Sequence, residues 1–222
     1  MTQCTPPLTP EVAMAHKYKE LESAHWVDKM KTLFSTLDRD GKGYITLEDN
    51  QRSPKRMNEA FNLPKERADA ILDYTRRVGW VKLLNAGEEP PEGHRVTEKM
   101  FMESMARAVN SPDLDVAKAL VKPHLMTLDL DEDGFITKDD YLMIFRAQLV
   151  DIRTLEMKFE MLDSDKDGRI TVEEYTKDMR CFLTDLGHHG DDRDGEDVCS
   201  RLGDEDSHRT TMFGYLISDG GV

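Results

Sequence analysis

The segment 163–174, DSDKDGRITVEE, constrains the fold of this chain more than any other feature. Carboxylates stand at its positions 1, 3 and 5, and Glu174 at position 12 can offer two oxygens. Gly168 at position 6 permits a sharp turn with positive φ, and Arg169 at position 7 needs to contribute only its backbone carbonyl. This spacing is typical of a calcium-binding loop, whose predicted ligands are Asp163, Asp165, Asp167, Arg169 and Glu174.

Apolar residues flank this loop at helical spacing on both sides. They are Leu155, Phe159 and Leu162 before the loop, and Tyr175, Met179 and Phe182 after it. An acidic surface turn would not require the glycine, the position-12 glutamate and two apolar helical faces together. The segment therefore predicts a helix-loop-helix calcium-binding unit, an EF-hand.

A second segment, 129–140 (DLDEDGFITKDD), repeats the pattern 34 residues earlier in the chain. It differs at position 12, where Asp140 is one methylene shorter than glutamate. The two hands should form a pair in which Ile136 faces Ile170 across a short two-stranded bridge. The predicted ligands of this loop are Asp129, Asp131, Asp133, Phe135 through its carbonyl, and Asp140.

A third segment, 38–49 (DRDGKGYITLED), has the same pattern with alterations. Position 5 is Lys42, a cation where a ligand belongs, and position 12 is the shorter Asp49. In the exiting helix, Asn50 stands where an aromatic residue would be expected, and Pro54 follows soon afterwards. Two interpretations stay open. Either the loop binds an ion, or it is retained only to pair with its neighbour; in the first case the ligands are Asp38, Asp40, Tyr44 and Asp49.

The segment 89–100 has Val96 at the position that isoleucine occupies in the other loops. Its positions 1, 3, 5 and 12 cannot cage a cation, since they hold Glu89, Pro91, Gly93 and Met100. We predict a degenerate second hand, retained for packing, in which Val96 pairs with Ile45. A long helix with Pro64 in its first turn should lead through Leu84 into this loop.

Four such units predict an all-α EF-hand fold of four helix-loop-helix hands in two packed pairs. Numbered in chain order, loop one is 38–49, loop two 89–100, loop three 129–140 and loop four 163–174, and each hand takes the number of its loop. The expected divisions are a loose N-terminal arm at 1–10, an N-terminal pair at 11–110 and a C-terminal pair at 111–186, with the first helix starting near Glu11. The remainder, 187–222, should be an acidic loop followed by an apolar segment docked on the body. That apolar segment contains Phe213, Tyr215, Leu216 and Ile217.

The net charge of −14 argues against nucleic acid and anionic membranes as partners. Three cysteines without a paired motif indicate a reducing compartment, and the chain shows neither a signal core nor an apolar run long enough to span a membrane. We therefore expect a cytoplasmic protein without a membrane anchor. The absence of a nucleophile elbow, a phosphate loop and a zinc signature predicts that it is not an enzyme.

The run WVDKMKTLF at 26–34 resembles the first helix of invertebrate sarcoplasmic calcium-binding proteins, which carry a similar W-V-x-K-M-K-T-x-F run. The degenerate second hand and a Phe-Gly pair near the C-terminus are also similar, so the likeness covers nearly the whole chain from Trp26. It implies a compact four-hand protein that buffers calcium and magnesium, with ligands in 129–140 and 163–174. Members commonly use the first loop too, whereas Lys42, Asn50, Pro54 and a long acidic insert near 188–206 depart from the family pattern.

Two other functions compete with buffering. A calcium sensor of the calmodulin kind would use some of the 13 methionines to line a groove for a target helix. Met30, Met105 and Met179 instead fall on helix faces that a core would claim, so no obligatory protein target is predicted. A luciferin-binding protein or photoprotein would enclose a chromophore in an apolar cavity; Trp26 fits this interpretation, but Met30 stands where such proteins place a histidine.

Overall fold

The computed structural model describes residues 23–111, 115–129, 131–146 and 152–184. The predicted arm at 1–10, the helix start near Glu11 and the tail at 187–222 lie outside these residues. The described residues are mostly helical, and the all-α EF-hand class is confirmed. Hand one contains helices Ala24–Leu37 and Leu47–Ala60, and hand two contains Lys65–Tyr74, Thr75–Leu84 and Glu98–Val109. Hand three contains Val116–Leu128 and Lys138–Arg146, and hand four contains Ile152–Leu162 and Val172–Thr184.

The first helix begins at a side-chain cap and leads directly into loop one. Ser23 accepts a hydrogen bond from the backbone N–H of Trp26 at 3.1 Å, which satisfies one of the free donors at the helix start. Its apolar residues Met30 and Phe34, which stand four positions apart, are buried on one face of the helix. The Trp26 indole N–H donates to the carbonyl of Leu183 at 2.9 Å, so the first and last described helices are joined by a buried bond.

Two short antiparallel sheets join the loops in pairs. Strand Tyr44–Ile45 pairs with Val96–Thr97, and Ile45 lies opposite Val96. Strand Phe135–Thr137 pairs with Arg169–Thr171, and Ile136 lies opposite Ile170. Both predicted pairings are confirmed, and their four side chains are almost fully buried.

The exiting helix of hand one continues through Pro54 instead of ending there. Its start is stabilised by a capping box, in which Thr46 and Asp49 each accept a hydrogen bond from the other's backbone N–H. A proline inside a helix removes one backbone donor, but it does not interrupt this helix before Ala60.

The long helix predicted before loop two is α-helical only in its first half. Pro64 is its N-cap residue and lies just before the first turn instead of within it. The helix continues to Leu84 as expected, and its second part, Thr75–Leu84, is a π-helix. A π-helix closes i→i+5 hydrogen bonds, so its turns are wider than those of an α-helix and the 3.6-residue hydrophobic period does not reveal it in a sequence. Gly79 lies in this segment, and a Cβ there would approach Asn50 Oδ1 to 3.4 Å. The wide turns therefore lie close against the exiting helix of hand one.

The core is continuous across the two pairs of hands. Phe34 and Phe101 stack edge to face in the N-terminal pair with ring centroids 5.7 Å apart, and Tyr141 and Phe159 do the same in the C-terminal pair at 5.6 Å. All four belong to one connected cluster of buried side chains. Within the described ranges no helix is long and apolar enough to cross a membrane.

Candidate metal centres

In loops one, three and four, the carboxylate at position 1 accepts hydrogen bonds from the backbone of the loop. In loop four, Asp163 Oδ1 accepts the N–H of Asp167 at 3.0 Å and Asp163 Oδ2 accepts the N–H of Gly168 at 2.9 Å. Gly168 has a φ of +87°, which a side chain would strain. The same pair of bonds forms in loop three from Asp129 to Asp133 and Gly134, and in loop one from Asp38 to Lys42 and Gly43.

Loop four brings three predicted ligands together. Side-chain oxygens of Asp163, Asp165 and Glu174 all lie within 4.8 Å of one another. Glu174 Oε2 accepts the backbone N–H and the hydroxyl of Thr171, both at 2.9 Å, while Oε1 accepts those of Ser164, both at 2.8 Å. The carboxylate of position 12 therefore reaches back to the first turn of the loop.

Hydrogen bonds also favour the ionised form of the Glu174 carboxylate. Burial alone would raise the pKa of Glu174, but the bonds from Thr171 and Ser164 outweigh it and hold that pKa below its usual value. Thr171 and Ser164 were not among the predicted site residues. Threonine stands at position 9 of loops one, three and four, and this recurrence in the sequence could have identified Thr171 as part of the site.

Loop three brings together a different set of predicted ligands. Oxygens of Asp129, Asp131 and Asp133 lie within 4.8 Å of one another, and Asp140 is not part of this group. Its Oδ2 instead accepts the backbone N–H and the hydroxyl of Thr137, at 3.3 and 2.5 Å. Burial, with a contribution from the neighbouring Asp133 and Asp131, raises the pKa of Asp129.

In loop one, the predicted acidic ligands surround an ammonium group. Lys42 Nζ lies 2.7 Å from Asp40 Oδ1, 2.9 Å from Asp49 Oδ2 and 3.4 Å from Asp38 Oδ1. Asp49 also pairs with the guanidinium of Arg52. Burial alone would lower the pKa of Lys42, but its bonds with these carboxylates raise it, and its hydrogen bond to Asp40 lowers the pKa of Asp40.

The position-7 residues, predicted to donate a backbone carbonyl, all lie at the sheets. Arg169 and Phe135 are on the paired strands of loops four and three, with the guanidinium 5.2 Å from the ring centre. Tyr44 occupies the same place in loop one, and its ring is covered by the guanidinium of Arg95 at 4.4 Å.

Within its described residues, loop two has no cluster of acidic side chains close enough to share an ion. Glu89, at its position 1, pairs with the guanidinium of Arg76 at 2.9 Å. Across the described part of the chain, clusters of three acidic groups close enough to share an ion occur in loops three and four only. Carboxylate oxygens are the ligands that calcium and magnesium prefer, so both clusters fit a hard divalent cation.

A small cavity of about 140 Å³ lies between the two pairs, and sequence reasoning did not identify it. Its lining is mainly apolar and includes Met57, Leu84, Phe101 and Ala119. Asn50 Oδ1 is buried at this cavity and has no hydrogen-bond partner among the described residues.

Comparisons with known proteins support the metal-binding interpretation. A family model described as an EF-hand domain pair matches residues 121–180, and one described as an EF hand matches residues 30–49. A sarcoplasmic calcium-binding protein from Perinereis vancaurica tetradentata is 32% identical over 124 residues, which is 54% of this chain and 67% of that protein. This chain belongs to the sarcoplasmic calcium-binding protein family.

Solved structures share the fold of this sarcoplasmic calcium-binding protein. Okadaic acid binding protein 2.1 superposes with a TM-score of 0.61 and 30% identity, covering 75% of this chain and 91% of its own. Calcium-loaded apo-aequorin from Aequorea victoria gives a TM-score of 0.59 at 18% identity, covering 75% and 94%. The second likeness concerns the fold alone.

Proposed function

We propose that this protein is a cytoplasmic calcium buffer that takes up calcium at loops three and four, with magnesium as a competing ion. The observation that carries the proposal is that side-chain oxygens of Asp163, Asp165 and Glu174 lie within 4.8 Å of one another. Three carboxylates held together without a cation repel one another, and a bound divalent ion relieves that repulsion. Loop four is the stronger calcium site, because a glutamate at position 12 can supply both of its oxygens.

Buffering is favoured over sensing by the way the apolar faces are used. A sensor opens on binding calcium and exposes a methionine-rich groove. Here Met30, Met105 and Met179 are at most 2% exposed within a core that spans both pairs. Among the described residues, the large apolar side chains that stand exposed are Met157 and Met161. The bond from Trp26 to Leu183 further fastens the first helix to the last.

Calcium titration of the full chain in the presence of a fluorescent apolar dye tests this proposal. We expect calcium to bind, as read by calorimetry, while the dye brightens little because no new apolar surface appears. Magnesium at millimolar concentration should reduce the apparent calcium affinity of loop three more than that of loop four. Strong calcium-dependent brightening would instead establish a sensor.

A second candidate function is the carriage of a small apolar molecule, and the cavity favours it. A cavity of about 150 Å³ lined by apolar residues is large enough for benzene, and this one has a similar volume with Asn50 Oδ1 as an acceptor. A relative of 30% identity is named for binding okadaic acid, so a ligand in this fold has a precedent. The proposed ligand here is an aromatic molecule with one hydrogen-bond donor.

Phenol and benzene form a matched pair of probes for this second function. Phenol should raise the melting temperature more than benzene, because only phenol can donate to Asn50. Replacing Ala119, which is 7% exposed and lines the cavity, with Phe should remove both effects. Equal shifts in the wild type and the Ala119→Phe variant would show that the cavity takes no ligand.

A further inference from the structure

We propose that the ammonium of Lys42 is the resident cation of loop one, so that this loop is closed by its own side chain and binds no calcium. Lys42 Nζ contacts three acidic residues of the loop, at positions 1, 3 and 12. These positions are the ones that would supply side-chain oxygens to a calcium ion. The proposal does not depend on whether loops three and four act as a buffer.

The backbone of loop one already has the wrapped form of the other two loops. Asp38 accepts the N–H groups of Lys42 and Gly43 at 3.0 and 2.7 Å, as Asp163 does at the same positions of loop four. Ile45 is paired with Val96 in the sheet. Loop one therefore has the same backbone hydrogen bonds at positions 5 and 6 as loop four, and the two loops differ in the side chain at position 5, Lys42 against Asp167.

The charges around the cage favour the ammonium over a calcium ion. The side chains of Asp38 and Asp49 are only 5% and 4% exposed, so their charges require a partner. Lys42 and Arg52 together supply two positive charges to the three carboxylates. A calcium ion entering this cage would meet both cations at short range, or would have to drive Lys42 out into solvent.

Covalent attachment strengthens this competition. Lys42 lies four residues from Asp38 in the same loop, so its ammonium acts at a high effective concentration that free calcium must exceed. Loops three and four have aspartate at the corresponding position, namely Asp133 and Asp167. In both of these loops the position-5 carboxylate accepts the N–H of the residue two positions later, a bond that lysine cannot accept.

It follows that the calcium response is confined to the C-terminal pair, while hand one is a permanent structural element. Hand one packs with hand two through the strand pair, and hand two has no acidic cage. The N-terminal pair should then keep its fold whether or not calcium is present.

Two substitutions at the same position test the proposal in the full chain. Calorimetric titration of the wild type should give two calcium ions per chain, and Lys42→Asp should give three, because it removes the competitor and restores a ligand. Lys42→Met removes the charge without adding a ligand; its third binding event should be absent or at least about 100-fold weaker than that of Lys42→Asp. In chelator, Lys42→Met should melt on the order of 5 °C below the wild type, since three carboxylates lose their shared cation.

The outcomes separate this proposal from the assignment of loops three and four. Three ions bound by the wild type, or no gain in Lys42→Asp, would overturn the role given to Lys42. Should Lys42→Asp fail to fold in chelator, Lys42→Asn offers an uncharged oxygen ligand with less repulsion, and the same gain of one ion is expected. Failure of loops three and four would lower the wild-type count, whereas the difference between variant and wild type reports on loop one alone.

Discussion

The guanidinium of Arg67 donates a hydrogen bond to the backbone carbonyl of Asp129, the first residue of loop three. Its Nε donates to the carbonyl of Met126 at 2.8 Å, and its Nη1 to Glu132 Oε1 at 3.2 Å. Arg67 belongs to hand two, which has no acidic cage of its own. Hand two thus fixes the point at which the helix before loop three passes into the loop.

Replacing Arg67 should weaken calcium binding at loop three by about threefold to tenfold. The bonds to Met126 and Asp129 are charge-assisted and partly buried, whereas the Glu132 side chain is 76% exposed and its charge is screened by water. The loss of the bonds that position loop three should therefore affect calcium binding more than the loss of a positive charge nearby. Both Arg67→Met and Arg67→Lys should weaken binding in calorimetric titrations. If charge dominated, Arg67→Met would tighten binding and Arg67→Lys would leave it unchanged.

Glu174→Gln should abolish high-affinity binding at loop four, with a loss on the order of 100-fold or more. The amide keeps an acceptor for Thr171 but removes the negative charge and one ligand oxygen. Calorimetry should show one ion fewer per chain. Glu173→Gln is the matched control, because Glu173 is exposed and adjacent but outside the cluster; an equal loss there would mean that net charge alone sets the affinity.

Asp140→Glu should shift the preference of loop three from magnesium towards calcium. Asp140 stands apart from the cluster of Asp129, Asp131 and Asp133, and the extra methylene lets a carboxylate reach it. The added oxygen suits calcium, which accepts seven or eight ligands, better than octahedral magnesium. Competition titrations should show lower magnesium sensitivity in the variant, with Asp139→Glu, at an exposed position, unchanged from the wild type.

His124 should make the stability of the calcium-free protein depend on pH. Burial lowers the pKa of His124 to about 4, although its contact with the Leu120 carbonyl opposes the shift. The unfolded chain therefore binds a proton near pH 6.5 that the folded protein does not bind until about pH 4. Because only the unfolded chain gains this proton, the free energy of unfolding decreases as the pH falls from 6.5 towards 4, by at most about 3 kcal/mol.

Denaturant unfolding in chelator at several pH values measures this effect. His124→Leu lacks the titrating group, so its stability relative to the wild type should improve steadily between pH 6.5 and 4. The difference between the two proteins should be constant above pH 7.5. A difference that did not change with pH would show that His124 titrates normally in the folded state.

The parts of the fold that follow from local spacing could be predicted from the sequence. The pairings of Ile45 with Val96 and of Ile136 with Ile170 follow from the fixed position of these residues in each loop. Burial of Met30 followed from the helical period. The recurrence of acidic residues likewise pointed to the two clusters, although the structure leaves Asp140 outside its cluster.

The features that depend on tertiary contacts could not be predicted in this way. Lys42 was recognised as a cation at a ligand position, but the sequence could not show that its side chain turns inward to three carboxylates. The bond from Arg67 to Asp129 joins residues 62 positions apart, with no pattern connecting them. The cavity beside Asn50 depends on how both pairs pack together.

Because Thr75–Leu84 is a π-helix, we expect hand two to tolerate a change in chain length. In an α-helix, deleting one residue rotates everything that follows by about 100° and moves buried faces into solvent. A wide turn can lose one residue and become an ordinary turn, so that the residues after it keep their orientation. A chain shortened by one residue within 75–84 should therefore still fold, with a regular helix leading into loop two, and insertions and deletions among homologous chains should be found at this segment.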